Sequence, residues 1–195
     1  MKRLLGPTDR IYPMPCPLVV GGTAGHVDAL AVAWAGIASG NPPSISMALR
    51  KTRLTLELIR ETGEFTVNIP STAQAPVVDY FGMVSGRETD KFADTGLTLV
   101  PSESVATPII AECPYNLECR LTHDIDLGDY ALIVGEIVQS HAEESVLDES
   151  GTRVDVGALD PLVYIAGSRE YRGVGPKLAD AYSIGRVFGK WAGGQ

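Results

Sequence analysis

Hydrophobic and polar residues alternate at strand spacing over much of this chain. From Asn116 to Ile125, Leu117, Cys119, Leu121, His123 and Ile125 point one way, and Asn116, Glu118, Arg120, Thr122 and Asp124 the other. Ser44 to Leu49 alternates likewise, after a turn at Asn41-Pro42-Pro43. Leu18-Val19-Val20, ending at a Gly21-Gly22 turn, Phe65 to Ile69, stopped by Pro70, and Leu162 to Ile165 read as short strands. Beyond the Gly128-Asp129 turn, Tyr130 to Val138 is nearly all apolar until Glu136, the pattern of a central strand buried on both faces. Asp28 to Ile37 is apolar on every side, and periodicity does not separate strand from helix there.

Helical spacing is rarer. In the stretch 54–62, Leu54, Leu58 and Ile59 share a face, Thr52 is placed to cap the start, Arg60 lies in the last turn and Gly63 suits the C′ position. Ala73 to Met83 predicts a second helix with Pro76 in its first turn. Ser85 to Asp94 reads as a polar loop, and the opening through Pro13, Pro15 and Pro17 is non-helical. Asp148-Glu149-Ser150-Gly151 is a turn, and after Gly173 the chain is Gly-rich up to Trp191-Ala192-Gly193-Gly194. Six or more strands with two or three short helices predict a mainly β fold with inserted helices. Closing the strands into a barrel would remove exposed edges. With no internal repeat and no long linker, one domain is expected over residues 1–195.

Composition narrows the function. The 195 residues are 45% hydrophobic and 21% charged, as in a globular chain able to bury a core without staples. A net charge of −8 opposes general binding to nucleic acid or anionic membranes. No apolar run is long enough to span a bilayer, and Gly6 to Arg10 interrupts the leader-like Met1-Lys2-Arg3-Leu4-Leu5. Cys16, Cys113 and Cys119 have no zinc-type or CxxC spacing, so a reduced, metal-free, cytoplasmic protein is expected.

Against that acidic background, Arg50-Lys51-Thr52-Arg53 stands at a strand-to-helix junction. A helix start already favours an anion, and each nearby cation adds about 4 kcal/mol at ~4 Å before desolvation. A phosphomonoester fits there; the plainer alternative is a solvated turn pairing with Glu57 and Glu61. Gly21-Gly22-Thr23-Ala24-Gly25 does not match the dinucleotide fingerprint. No nucleophile elbow or catalytic cluster is visible, so no catalytic side chain is assigned. Cys113 and Cys119 read as buried structural thiols, His123 as a core histidine, and Glu143-Glu144 as solvated.

Several blocks in order resemble the flavin reductase-like proteins, flavoredoxins among them, whose fold is the FMN-binding split β-barrel. They are Pro17 to Gly21, Asp28 to Gly36, Asn41 to Leu49, Arg50 to Arg53, Gly63 to Pro70, Ser85-Gly86 with Asp90-Lys91-Phe92, Glu112-Cys113 with Glu118-Cys119, and Gly128-Asp129 before Gly135-Glu136. The resemblance runs from about Pro13 to Tyr171. It implies that Leu30, Ala31, Val32, Ala33 and Trp34 line the isoalloxazine and that Arg50, Lys51 and Thr52 hold the FMN phosphate. Ser85, Gly86 and Lys91 would close over the cofactor or reach it from a second subunit of a homodimer. The implied activity is hydride uptake from NAD(P)H by bound FMN, with delivery to free flavin or another acceptor. A flavoredoxin-like carrier serving a redox protein is the alternative. Asp28, Ala31 and Tyr130 stand where many members have Asn, Thr and His.

Overall fold

A computed structural model of the chain describes residues 1–189. The strands are β1 (Met14–Pro15), β2 (Leu18–Thr23), β3 (His26–Ala31), β4 (Ala35–Gly40), β5 (Pro43–Arg50), β6 (Glu64–Ile69), β7 (Leu99–Val100), β8 (Ile109–Ile110), β9 (Tyr115–Leu127), β10 (Tyr130–Ala142), β11 (Val163–Ile165) and β12 (Glu170–Arg172). The helices are α1 (Leu54–Thr62), α2 (Ala75–Met83), α3 (Lys91–Thr95) and α4 (Val156–Leu159). Seven strands form one antiparallel sheet in the order β3-β2-β6-β9-β10-β5-β4. Its two edges, β3 and β4, are consecutive in the chain and joined only by Val32-Ala33-Trp34. Four Cα–Cα steps reach at most about 14 Å, so the sheet must curl until its edges nearly meet. The ladder nevertheless stays open. Full closure is corrected to a split barrel, with the three-residue link at the seam.

Continuous apolar runs correspond to strands covered twice. Val19 faces the barrel interior with Met47, Phe65 and Ile133, whereas Leu18 and Val20 face α2 through Val78 and Phe81. The ambiguous 28–37 stretch resolves into β3, the link and β4. Gly21-Gly22 is not a turn, because β2 continues to Thr23. Its glycine lets α1 approach: a Cβ on Gly21 would lie 2.7 Å from the Thr55 carbonyl oxygen. Helix α1 buries Leu56, Leu58 and Ile59 and ends, as expected, on Gly63 with φ 71°. Its N-cap is Arg53 rather than Thr52. The 85–94 loop ends in α3, capped by the Asp90 carboxylate accepting from the N–H groups of Phe92 and Ala93. Strand β12 follows β11 and pairs with it antiparallel, Tyr164 opposite Tyr171.

Strand β10 lies centrally, but only Ala131, Ile133 and Gly135 of its first half are fully buried. Strand β9 departs from simple alternation. Its first half is buried on both faces because residues 101–110 lie across it, and its second half projects into solvent, leaving His123 exposed. The buried Glu118 carboxylate accepts from the N–H groups of Glu103 (2.8 Å) and Ser104 (2.6 Å) and pairs with His141 Nε2 at 2.5 Å. Desolvation pushes its pKa up. The Glu103 N–H, His141 and the Ser104 N–H together outweigh that and hold it below the ordinary value. A depressed carboxylate stabilises the fold above its unfolded pKa, about 4.3 for Glu, and that contribution is lost as pH falls toward the folded value. Urea midpoints measured from pH 7 to pH 3 are therefore expected to fall steeply in the native protein. In Glu118→Gln they start lower and decline less. Parallel curves would contradict the assignment.

Candidate functional site

The basic run lies where the sequence placed it, between the end of β5 and the start of α1. Its four residues are used differently. Lys51 Nζ pairs with Asp126 Oδ2 at 2.6 Å, and its backbone N–H donates to the Asp129 carbonyl. That side-chain hydrogen bond, followed by the Gly128 N–H, holds the Asp126 carboxyl below its ordinary range. Arg50 stands opposite Tyr130 in the β5–β10 ladder and lies over its ring, 5.0 Å from the centroid. Among the described residues neither Arg50 nor Arg53 has a carboxylate partner. Glu57 does not neutralise the turn, because Arg87 takes it at 2.5 Å. The first N–H groups of α1 have no intrahelical acceptor, and Arg53 supplies no side-chain cap. Exposed Thr52 adds a hydroxyl.

Tyr130 carries this turn to the seam. Its other neighbour is Trp34, with centroids 4.9 Å apart and planes at 34°. Trp34, Tyr130 and Arg50 thus form one stack, with Arg50 within about 10 Å of Trp34. Clefts lie on both sides of the link. One, about 510 Å³ and mostly apolar, is lined by Ala33, Trp34, Met47, Ala48 and Leu132. The other, about 420 Å³, is lined by Cys16, Ala31, Ala33, Gly82, Tyr164 and Tyr171. Ala33 borders both, and its backbone N–H and C=O take no backbone partner among the described residues. Leu30 and Val32 are buried in the barrel core, so only their backbones can serve a ligand. Burial pushes the Cys16 thiol up to about 12, and Cys113 and Cys119 likewise; they are inert interior groups at neutral pH.

Ser85, Gly86 and Lys91 lie beside the same helix start, by a route invisible in the sequence. Lys91 is buried, its Nζ 2.9 Å from Asp28 Oδ1 and donating to the Ala29 carbonyl. Asp28 Oδ2 in turn accepts from Thr55 Oγ1, in the first turn of α1, at 2.5 Å. A Cβ on Gly86 would lie 2.0 Å from Asp28 Oδ1, so only glycine leaves room for that carboxylate. Ser85 accepts turn hydrogen bonds from Arg87 and Glu88. The loop, α1 and β3 are tied together through Asp28. Neither the Asp28–Lys91 nor the Glu118–His141 pairing is legible in the sequence, because each joins residues far apart in the chain.

The donor set suits a phosphomonoester attached to a flat ring system. Two guanidiniums without carboxylates stand at an uncapped helix start, and Arg50 connects through Tyr130 to Trp34 at the edge of an apolar slot. Residues 10–175 match the family model described as flavin reductase like domain. The flavoredoxin of Desulfovibrio vulgaris (Miyazaki F) is 41% identical, with 95% of this chain and 100% of that one covered at a TM-score of 0.89. A flavoredoxin from Methanosarcina acetivorans is 31% identical, covering 96% and 99% at the same score of 0.89. A protein of Archaeoglobus fulgidus is 36% identical over 130 residues, 67% of this chain and 73% of its own length. The match to the domain model and these full-length likenesses establish that this chain belongs to the flavin reductase-like family.

Proposed function

We propose that this protein holds FMN across the seam and acts as an electron-transfer flavoprotein of the flavoredoxin kind. The supporting observation is the pair Arg50 and Arg53, without carboxylate partners beside the uncapped start of α1, in a chain of net charge −8. Bound FMN would supply the redox chemistry. The protein's part is to bind, orient and exclude water. Arg50, Arg53, the Thr52 hydroxyl and the first N–H groups of α1 hold the phosphate, while Lys51 adds to the field although Asp126 restrains it. The link with its flanks, Leu30, Ala31, Val32, Ala33 and Trp34, backs the ring system, chiefly through main-chain groups. Ser85, Gly86 and Lys91 form the wall beside the phosphate, with Lys91 acting through Asp28.

The carrier reading stands ahead of direct turnover with NAD(P)H for two reasons. The two flavoredoxins match essentially the whole chain, and the Tyr130 ring is engaged by both Trp34 and Arg50. An acidic surface also suits a basic redox protein as partner. In the second reading, NAD(P)H delivers hydride to the bound flavin and the electrons pass to free flavin or another acceptor. Either reading implies a homodimer in the cytoplasm, where three unpaired thiols stay reduced. Among the described residues no helix is long and apolar enough to cross a membrane.

Purified protein is expected to be yellow, or to become so on adding FMN. Under anaerobic conditions its visible flavin band should bleach quickly with a reduced ferredoxin and slowly with NADH or NADPH. Fast bleaching by a nicotinamide would favour the second reading. Colourless protein that takes up no FMN would overturn both.

A further inference from the structure

Four cations on or beside α1 are matched with carboxylates: Lys51 with Asp126, Arg60 with Asp124, Arg87 with Glu57 and Lys91 with Asp28. The first three pairs are open to water, where solvent and salt screen their fields. In the fourth both side chains are almost wholly enclosed, and their charges are screened far less. Two glycines make room for that pair. Asp28 stands opposite Gly21 in the β2–β3 ladder, and Gly21, lacking a Cβ, lets α1 settle on the sheet there. Gly86 leaves the space that the carboxylate occupies. One carboxylate oxygen thereby meets Lys91 Nζ at 2.9 Å, and the other accepts from the Thr55 hydroxyl at 2.5 Å.

Thr55 belongs to the first turn of α1, and its own N–H has no acceptor among the described residues. An anion held by that N–H would lie within about 8 Å of the Asp28 carboxylate, which is one hydrogen bond from the hydroxyl of the same residue. The helix start, Arg50 and Arg53 attract such an anion. Asp28 acts against them twice. Its charge repels the anion directly, and it cancels Lys91, whose ammonium also donates to the Ala29 carbonyl within the same enclosed cluster.

We propose that Asp28 is a specificity-determining residue that limits how strongly this chain prefers FMN to riboflavin, through a buried negative charge beside the phosphate-binding helix start. The inference rests on the flavoprotein reading and deepens it. Without the carboxylate, Lys91 would stand as a third uncancelled cation at that helix start, with Arg50 and Arg53. Removing one unit of charge about 8 Å from an anion, at an effective dielectric near 20, corresponds to roughly 30-fold in affinity. The effect is confined to the phosphate, since the ring system and the ribityl chain are uncharged. A charge role and a purely structural tie differ in sign. Loss of a tie between β3, α1 and the 85–91 loop would loosen both flavins, whereas loss of a repelling charge tightens FMN alone.

The test compares FMN and riboflavin affinities, by flavin fluorescence, in the native full chain, Asp28→Asn, Lys91→Met and the double variant. Asp28→Asn is expected to bind FMN roughly 30-fold more tightly than the native protein, and Lys91→Met to bind it more weakly by a similar factor. The double variant should fall between the two single ones, and riboflavin should bind all four alike. Flavin-free Asp28→Asn should unfold at lower urea than the native protein, because Lys91 is left alone, yet gain more stability from added FMN. If Asp28→Asn does not fold by itself, the same substitution in Lys91→Met supplies the comparison, because it removes the charge without stranding the ammonium. FMN affinity unchanged or weakened by Asp28→Asn in both backgrounds, or riboflavin affinity moving in step with that of FMN, would overturn the proposal. Native protein that takes up neither flavin would instead overturn the flavoprotein reading beneath it.

Discussion

Arg50→Gln combined with Arg53→Gln is expected to weaken FMN binding by roughly 100-fold. A hydrogen bond to a charged group contributes about 1.5–3 kcal/mol, and Arg50 is exposed to screening, so the low end applies to each arginine. The loss should be specific to the phosphate. Titrations followed by flavin fluorescence should show native and variant proteins binding riboflavin equally, with the difference confined to FMN and shrinking as salt is raised. Lys51→Gln should have a smaller effect, because Asp126 at 2.6 Å already opposes its charge. Asp126→Asn should tighten FMN binding by removing that competitor. Equal FMN affinity in the native protein and the double arginine variant would remove the site from the start of α1.

Lys91→Met is expected to destabilise the flavin-free protein by about 3–5 kcal/mol, the usual result of leaving one member of a buried ion pair alone. Both partners are almost completely buried, Asp28 at 6% exposure and Lys91 at 4%. With the ammonium gone, the Asp28 carboxylate would keep only the Thr55 hydroxyl as a donor. Adding Asp28→Asn to Lys91→Met should restore most of the loss, since an uncharged amide can still bond Thr55. Urea unfolding of the four proteins forms a double-mutant cycle. Additive losses would show that the two groups do not act as a unit. The cycle also bears on binding, because Asp28 anchors the 85–91 loop to the first turn of α1 through Thr55 and Lys91.

Local chemistry was readable wherever neighbours in sequence make the decision. Gly63 ends α1 because a left-handed residue is needed there, and Asn41-Pro42 separates β4 from β5. The Leu18-Val19-Val20 run is apolar without alternation because both of its faces are covered. The basic turn stood out because four polar residues, three of them cationic, interrupt a strand and a helix in an acidic chain. The ordered blocks from Pro13 to Tyr171 pointed to the family that the match over residues 10–175 establishes. Alternation in β9 misled for His123 and Glu118, because period two assigns faces and does not say whether a face is covered.

Residue type and spacing along the chain were enough to place β2, β5, β6, β9 and β10, the helix start with its cations, and the family. Which charges remain available was decided by folding. Lys51 meets Asp126, Glu57 meets Arg87, and Lys91 disappears beneath Asp28, while Arg50 and Arg53 keep no carboxylate among the described residues. The open seam arises in the same way, from curling a sheet whose outermost strands happen to be chain neighbours. The physical reason is range. Turn and helix preferences act over a few residues, whereas ion pairing, desolvation and sheet closure depend on distances in space between residues far apart in the chain.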